Sequence, residues 1–235
     1  MNGCGRTKGF SLVELLIAMA IGLILLAGIV KVWLGSRQIQ QANTALAAVQ
    51  ESGRFAISVL ERNIRLGGFP LYKDPTGAQV FDSAKTADAD PSDGIAVDYA
   101  ADQPCRGVAR AGAAVKTHAF TVVNGALQCS GIVLATGIDA MQIQYGVDTD
   151  KDGIANQYLT ATRVKAGVTT PGTPDWPRVV SVRVALLVNS GQDALDAPAA
   201  KNWVLLDRIV ATNDRRMRRL FTTTIPMRNR METAL

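Results

Sequence analysis

The chain has 235 residues, a formal net charge of +5 and hydrophobic residues at 48% of its positions. This length allows a membrane segment joined to a domain of about 200 residues. With one histidine and three cysteines, a zinc centre is poorly supported, and a catalytic triad would depend on His118 alone. The sequence also contains no phosphate-binding loop and no dinucleotide fingerprint. We therefore expect a protein that is not an enzyme.

An apolar segment near the N-terminus has the length of a membrane span. Residues 10–34 contain only two charged side chains, Glu14 and Lys31. As a helix this segment would extend roughly 37 Å, enough to cross a hydrocarbon core of roughly 30 Å once. A secretory signal peptide is the alternative, but the run is long for one and no A-x-A-like site closes it. We expect residues 10–34 to be retained as a membrane anchor.

The helical pattern continues after the apolar run. Apolar residues recur at steps of three or four, and no proline occurs before Pro70. The stripe consists of Ala42, Leu46, Val49, Ala56, Leu60 and Ile64. This spacing predicts an amphipathic half-helix over residues 35–66. Gly67, Gly68 and Pro70 are expected to end it.

The remaining residues, 67–235, are predicted to form a β-rich head domain. Asn124-Gly125 between apolar runs predicts a hairpin of strands 119–123 and 126–134. Further strands are expected at 138–147, 180–188 and 220–225, and composition predicts loops at 82–104, 166–177 and 191–201. The predicted fold class is α+β, with a long N-terminal helix packed on an antiparallel β-sheet.

Two cysteines of the head domain are candidates for a disulfide. Cys105 and Cys129 lie 24 positions apart, whereas Cys4 precedes the apolar segment. A pair of this kind suits an oxidising compartment such as the periplasm, and closing the loop would stabilise the fold by roughly 3 to 4 kcal/mol. Two unrelated buried thiols are the alternative.

A short acidic stretch is the best candidate for a small ligand. Asp148, Asp150 and Asp152 alternate and are followed by Gly153. Alternating oxygen ligands and a glycine form the first half of an EF-hand calcium loop, but position twelve is Leu159 instead of glutamate. The alternatives are a calcium site and an Asp/Gly-rich turn between strands. No other cofactor is expected.

A cluster of four arginines precedes the last predicted strand: Arg215, Arg216, Arg218 and Arg219. Nucleic-acid binding would require stacking aromatic residues beside the cations, but only Phe221 is near in sequence. Charges at a sheet edge prevent unwanted strand pairing. We therefore expect the arginines to protect an edge, and we do not expect a nucleic-acid partner.

The stretch Gly9-Phe10-Ser11-Leu12-Val13-Glu14 resembles the start of type IV prepilins. The resemblance implies that residues 1–9 form a leader, that a prepilin peptidase cleaves after Gly9, and that Phe10 becomes N-methylated. It also gives a reason for Glu14, a carboxylate inside an apolar helix. In an assembled filament, we expect Glu14 to pair with the N-terminal amine of a neighbouring subunit.

Segments across the rest of the chain resemble the PilW family of minor pilins. They lie at residues 51–56, 61–69, 145–150, 179–188, 219–225 and 228–230. The resemblance implies a type IV pilin fold and a single-pass protein of the bacterial inner membrane, with its head in the periplasm. Such a protein would join other minor pilins in a complex that starts pilus assembly, would provide a template for the major pilin, and would remain near the pilus tip.

Two other functions remain open at this point. One is a J-like minor pseudopilin of a type II secretion system, which shares the same N-terminal features. The other, from a different class, is a tip adhesin or DNA receptor that uses variable loops and the arginine cluster.

Overall fold

The computed structural model describes residues 11–69 and 80–231. The predicted leader, the cleavage position after Gly9, the methylated Phe10 and the helix-ending Pro70 lie outside these residues. The chain divides between Thr44 and Ala45 into two compact units.

One continuous helix, α1, runs from Leu12 to Leu66, as the uninterrupted pattern predicts. It is long and apolar enough to cross a membrane, and none of its most apolar stretch is buried.

The second half of α1 contributes to the core of the head domain. Val49, Ala56, Leu60 and Ile64 of the predicted stripe are buried, whereas Leu46 is 40% exposed. Gly53 is also buried, and a methyl group there would overlap the Phe221 ring. The helix ends where Gly68 adopts a φ of +84°, a conformation that glycine accepts without a Cβ clash.

Ten strands form three antiparallel sheets in the described part of the chain. The first sheet has the order β1-β2-β3-β4, with β1 Ile95–Ala100, β2 Val115–Val123, β3 Ala126–Cys129 and β4 Ile132–Thr136. The second has the order β10-β7-β5-β6, with β5 Ile138–Val147, β6 Gln157–Leu159, β7 Val179–Asp193 and β10 Arg216–Pro226. The third is a hairpin of β8 Ala199–Leu205 and β9 Arg208–Asp214. Two short helices, α2 Ala161–Ala166 and α3 Arg228–Met231, and one turn of 3-10 helix at Trp176–Arg178 complete the described elements.

Most predicted strands are confirmed, but three details were wrong. The predicted strand 126–134 is divided into β3 and β4 by a turn at Ser130-Gly131, where both residues have positive φ. The predicted loop 82–104 contains β1, because its many aspartates hid the apolar run on either side of Asp98. The predicted loop 191–201 is shortened from both ends by β7 and β8.

Strand β7 is buried on both faces, which explains its apolar composition. One face lies in the main core with α1, through residues such as Val182 and Val184. The other face, with Ala185 and Leu187, packs with Leu205 of the β8–β9 hairpin in a second, smaller core. The predicted fold class, α+β with a long N-terminal helix and antiparallel sheets, is confirmed.

Candidate assembly helix and head-domain sites

The first candidate feature is Glu14, in the first turn of α1. It is the only charged residue among residues 12–30, and it is exposed together with the apolar side chains around it. A carboxylate in this position would cost about 2.5 to 3.5 kcal/mol at the centre of a bilayer. Among the described residues no cation forms an ion pair with it. The arrangement therefore suits a cationic partner from outside the described part of this chain.

The second feature is a buried chain of contacts that begins at the predicted disulfide, which is present between Cys105 and Cys129. The backbone N–H of Cys105 donates to Nδ1 of His118 over 2.8 Å, and the His118 ring stacks on Tyr99 with centroids 3.6 Å apart. The Tyr99 hydroxyl donates to Oδ1 of Asn63 on α1 over 2.6 Å. All these residues are buried. The contacts therefore connect the disulfide loop to the last turns of the long helix.

This environment keeps the His118 ring neutral. Because Nδ1 accepts a hydrogen bond, the proton of the neutral ring lies on Nε2, which is buried without a partner among the described residues. Burial lowers the pKa of His118 to about 4; the Tyr99 backbone opposes this shift, and the charge of Lys116 adds to it. A second ring proton would turn Nδ1 into a donor facing the N–H of Cys105.

The third feature is the acidic loop after β5. The carboxylates of Asp148, Asp150 and Asp152 each place an oxygen within 4.8 Å of the others. Asp148 is buried and accepts the N–H groups of Lys151 at 2.6 Å and Gly153 at 2.9 Å.

Burial alone would raise the pKa of Asp148, but these two hydrogen bonds and those with Asp150 together outweigh it, so the pKa is lowered. The carboxylate therefore stays charged, as a calcium ligand must. Leu159, at position twelve of the loop pattern, is buried in β6 and offers no ligand. The described loop thus brings three carboxylates close enough together to share one cation.

The arginine cluster behaves as predicted only in part. β10 is an edge strand, and Arg215 and Arg216 are exposed near its start. Arg218, however, has a side chain only 7% exposed, and it forms ion pairs with Asp139 and Asp214, each at 2.5 Å. The prediction of edge protection was therefore wrong for Arg218, which joins β10 to β5 and β9. Its spacing of four from Asp214 was a local signal, but Asp139 is distant in sequence.

The contacts among Asn63, Tyr99 and His118 were not predicted. His118 had been considered only as a catalytic residue, and the three residues come from α1, β1 and β2. No short sequence pattern relates residues separated by 36 positions, as Tyr99 and Asn63 are.

Comparison with known proteins gives two family matches. A family model described as Type IV Pilus-assembly protein W matches residues 114–229, and a model of the prokaryotic N-terminal methylation motif matches residues 4–30. The PilW-family match thus covers just under half of the chain, all of it in the head domain. Among solved structures, a type IV-like pilin from Thermus thermophilus is similar at 16% identity and a TM-score of 0.48, covering 77% of this chain and 97% of that chain. No match is found among the curated proteins.

Together the two matches support a type IV minor pilin of the PilW family. They also support a role in pilus biogenesis and suggest interaction with other pilus components. The N-terminal methylation motif and the exposed apolar half of α1 fit a membrane-anchored protein.

Proposed function

We propose that this PilW-family pilin primes type IV pilus assembly at the inner membrane. Its head lies in the periplasm, and the subunit enters the pilus at or near the tip. The proposal rests on how charge and burial are distributed along α1. One continuous helix places an isolated carboxylate in an exposed apolar half and buries the other half in the head domain.

The proposed step begins when a prepilin peptidase removes residues 1–9 and methylates Phe10. The new amine of one subunit then pairs with Glu14 of its neighbour as their apolar helices leave the bilayer and pack together. In this low-dielectric environment the ion pair offsets much of the desolvation cost of each charge and fixes the axial register of the two subunits. Other minor pilins and the major pilin are the proposed partners.

The absence of a helix break supports a starting role. The described helix continues from Leu12 to Leu66 without proline. A subunit whose helix stays intact provides a fixed template beneath which the major pilin is added.

A strain that lacks only this gene tests the proposal. We expect a strong loss of surface pili, with the major pilin still present in the membrane. Complementation with Glu14→Ala should not restore piliation, whereas the control Glu51→Ala, an exposed glutamate of the same helix, should restore it. Normal piliation in the deletion strain would refute the priming role.

Processing is tested separately by mass spectrometry of the mature protein. We expect an N-terminus at methyl-Phe10. An unprocessed N-terminus would contradict the proposed assembly step. Intact pili combined with lost secretion of folded exoproteins would instead indicate a J-like pseudopilin.

We also propose that residues 148–153 form a weak calcium site. The convergence of three carboxylates around Gly153 supports it. Calcium takes six to eight oxygen ligands, so backbone carbonyls and water must complete the shell, and the affinity should lie at the millimolar end of the known range.

A further inference from the structure

A groove lies in the head domain between α1, the start of β10 and the β8–β9 hairpin. It encloses about 230 Å³, and its lining includes Leu46, Val49, Leu195, Trp203 and Met217. This volume is below the roughly 300 to 1,000 Å³ of small-molecule sites, so it suits one or two side chains of a larger partner.

The position of the groove favours an extended partner. β10 pairs only with β7 among the described strands, and its first residues form part of the groove. The Arg216 N–H already donates to Asp214 and its C=O accepts from Arg218, so an extended segment that enters between the helix and the hairpin would run beside β10 and be held by side-chain contacts.

The charge of the groove favours an acidic partner. Its lining contains Lys201, Arg216 and Arg218 but no carboxylate. Arg218 is already paired with Asp139 and Asp214, whereas Lys201 and Arg216 are exposed and form no ion pair with any described residue. Lys201 lies over the Trp203 ring, and the charge of Arg216 also acts on Asp214, but both cations are exposed and can be reached by the carboxylates of a partner.

A nucleic acid fits this groove less well. Base stacking requires a free aromatic face, but Lys201 Nζ already lies 3.9 Å from the centre of the Trp203 ring. The indole N–H of Trp203 also donates to the Thr212 hydroxyl over 3.2 Å. The apolar walls need apolar side chains, which a phosphate backbone does not supply.

From these contacts we infer that the groove binds an extended segment of a partner protein in which acidic and apolar side chains alternate. The apolar side chains enter between Leu46 and Trp203, and the carboxylates meet Lys201 and Arg216. The inference concerns the head domain alone and does not depend on the priming role.

The test uses the full chain in dodecyl maltoside and a fluorescein-labelled (Asp-Val)5 peptide, followed by fluorescence anisotropy. (Lys-Val)5, (Asn-Val)5 and a 20-base-pair DNA duplex serve as comparison probes. We expect (Asp-Val)5 to bind most tightly, and its binding to weaken as salt is raised. No binding of (Asp-Val)5, or tighter binding of the lysine peptide or the DNA, would overturn the inference.

Charge-reversal variants locate the interaction. The double variant Lys201→Glu/Arg216→Glu should weaken binding about tenfold or more. The control Arg106→Glu/Arg163→Glu changes the net charge equally at exposed positions away from the groove and should have little effect.

Equal losses of affinity in both double variants would show that only net charge matters, and would refute the groove as the binding site. Near-UV circular dichroism checks that each variant is folded. If the groove variant is unfolded, Lys201→Gln/Arg216→Gln replaces it, with Arg106→Gln/Arg163→Gln as its control. Leu46→Asp, on the apolar wall, should also weaken peptide binding. Unchanged binding by this variant would contradict the proposed position of the partner's apolar side chains.

Discussion

Acidification should destabilise the head domain through His118. Its ring is buried, accepts the Cys105 N–H at Nδ1 and stacks on Tyr99. Lowering the pH from 7 to 4 adds a proton to exposed histidine in the unfolded chain, but the folded environment resists it. Between these pH values the unfolded chain therefore binds more protons than the folded one.

The magnitude follows from the two pKa values. The pKa of His118 is about 4 in the folded protein, against 6.5 for an unperturbed histidine. At 1.36 kcal/mol per unit, the free energy of unfolding should fall by up to about 3 kcal/mol. The full stability is present above pH 6.5, and it is lost as the pH falls from 6.5 towards 4.

Asp93 acts in the opposite direction within the same window. Its burial raises its pKa to about 6, although the N–H groups of Ile143 and Ala89 oppose the shift. The folded state therefore binds more protons at Asp93 than the unfolded state, and this contribution to stability falls as the pH rises from about 4 to 6. The pH profile of the native protein alone would combine the two effects.

A variant of His118 separates its contribution to the pH dependence of stability from that of Asp93. Urea unfolding of the full chain in dodecyl maltoside, followed by tryptophan fluorescence, to which the buried Trp176 contributes, gives the free energy of unfolding at each pH. His118→Asn keeps an acceptor near the Cys105 N–H but cannot be protonated. The difference between native protein and variant should shrink by about 3 kcal/mol from pH 7 to pH 4. A difference that is constant over this range would refute the assignment of a low pKa to His118.

Three further outcomes are expected. Gly53→Ala should destabilise the head by about 1 to 3 kcal/mol, because the added methyl group would overlap the Phe221 ring of β10. The control Gly35→Ala, at a position with open space around it, should not destabilise it. Equal effects of the two substitutions would contradict the close packing at Gly53. Arg218→Ala should lower the free energy of unfolding by about 1 to 3 kcal/mol, because Asp139 and Asp214 lose their ion pairs and keep only hydrogen bonds from Asn189 and the Arg216 N–H, while the exposed Arg216→Ala should change it by less than about 0.5 kcal/mol. In calorimetric titration the native protein should bind calcium at about millimolar concentration and Asp150→Ala should not; no heat from the native protein would remove the calcium proposal.

Features built from neighbouring residues could be predicted from the sequence. The helix was found because its spacing, its lack of proline and its terminal glycines all depend on residues within a few turns of one another. The hairpin turn at Asn124-Gly125 was found for the same reason, and both residues have positive φ. The division of residues 126–134 was missed because Ser130 carries no strong turn signal, although its φ is +49°.

The sequence by itself determined the long helix, its isolated Glu14, the strand-rich head and the candidate pair of cysteines, because local periodicity and the chemistry of single residues carry this information. Only the tertiary structure decided that His118 joins the disulfide loop to Tyr99 and Asn63, and that the Arg218 side chain is largely buried in two ion pairs while Arg216 is exposed. These roles depend on side chains brought together from distant strands, and burial then determines which charges are paired and which protons can bind.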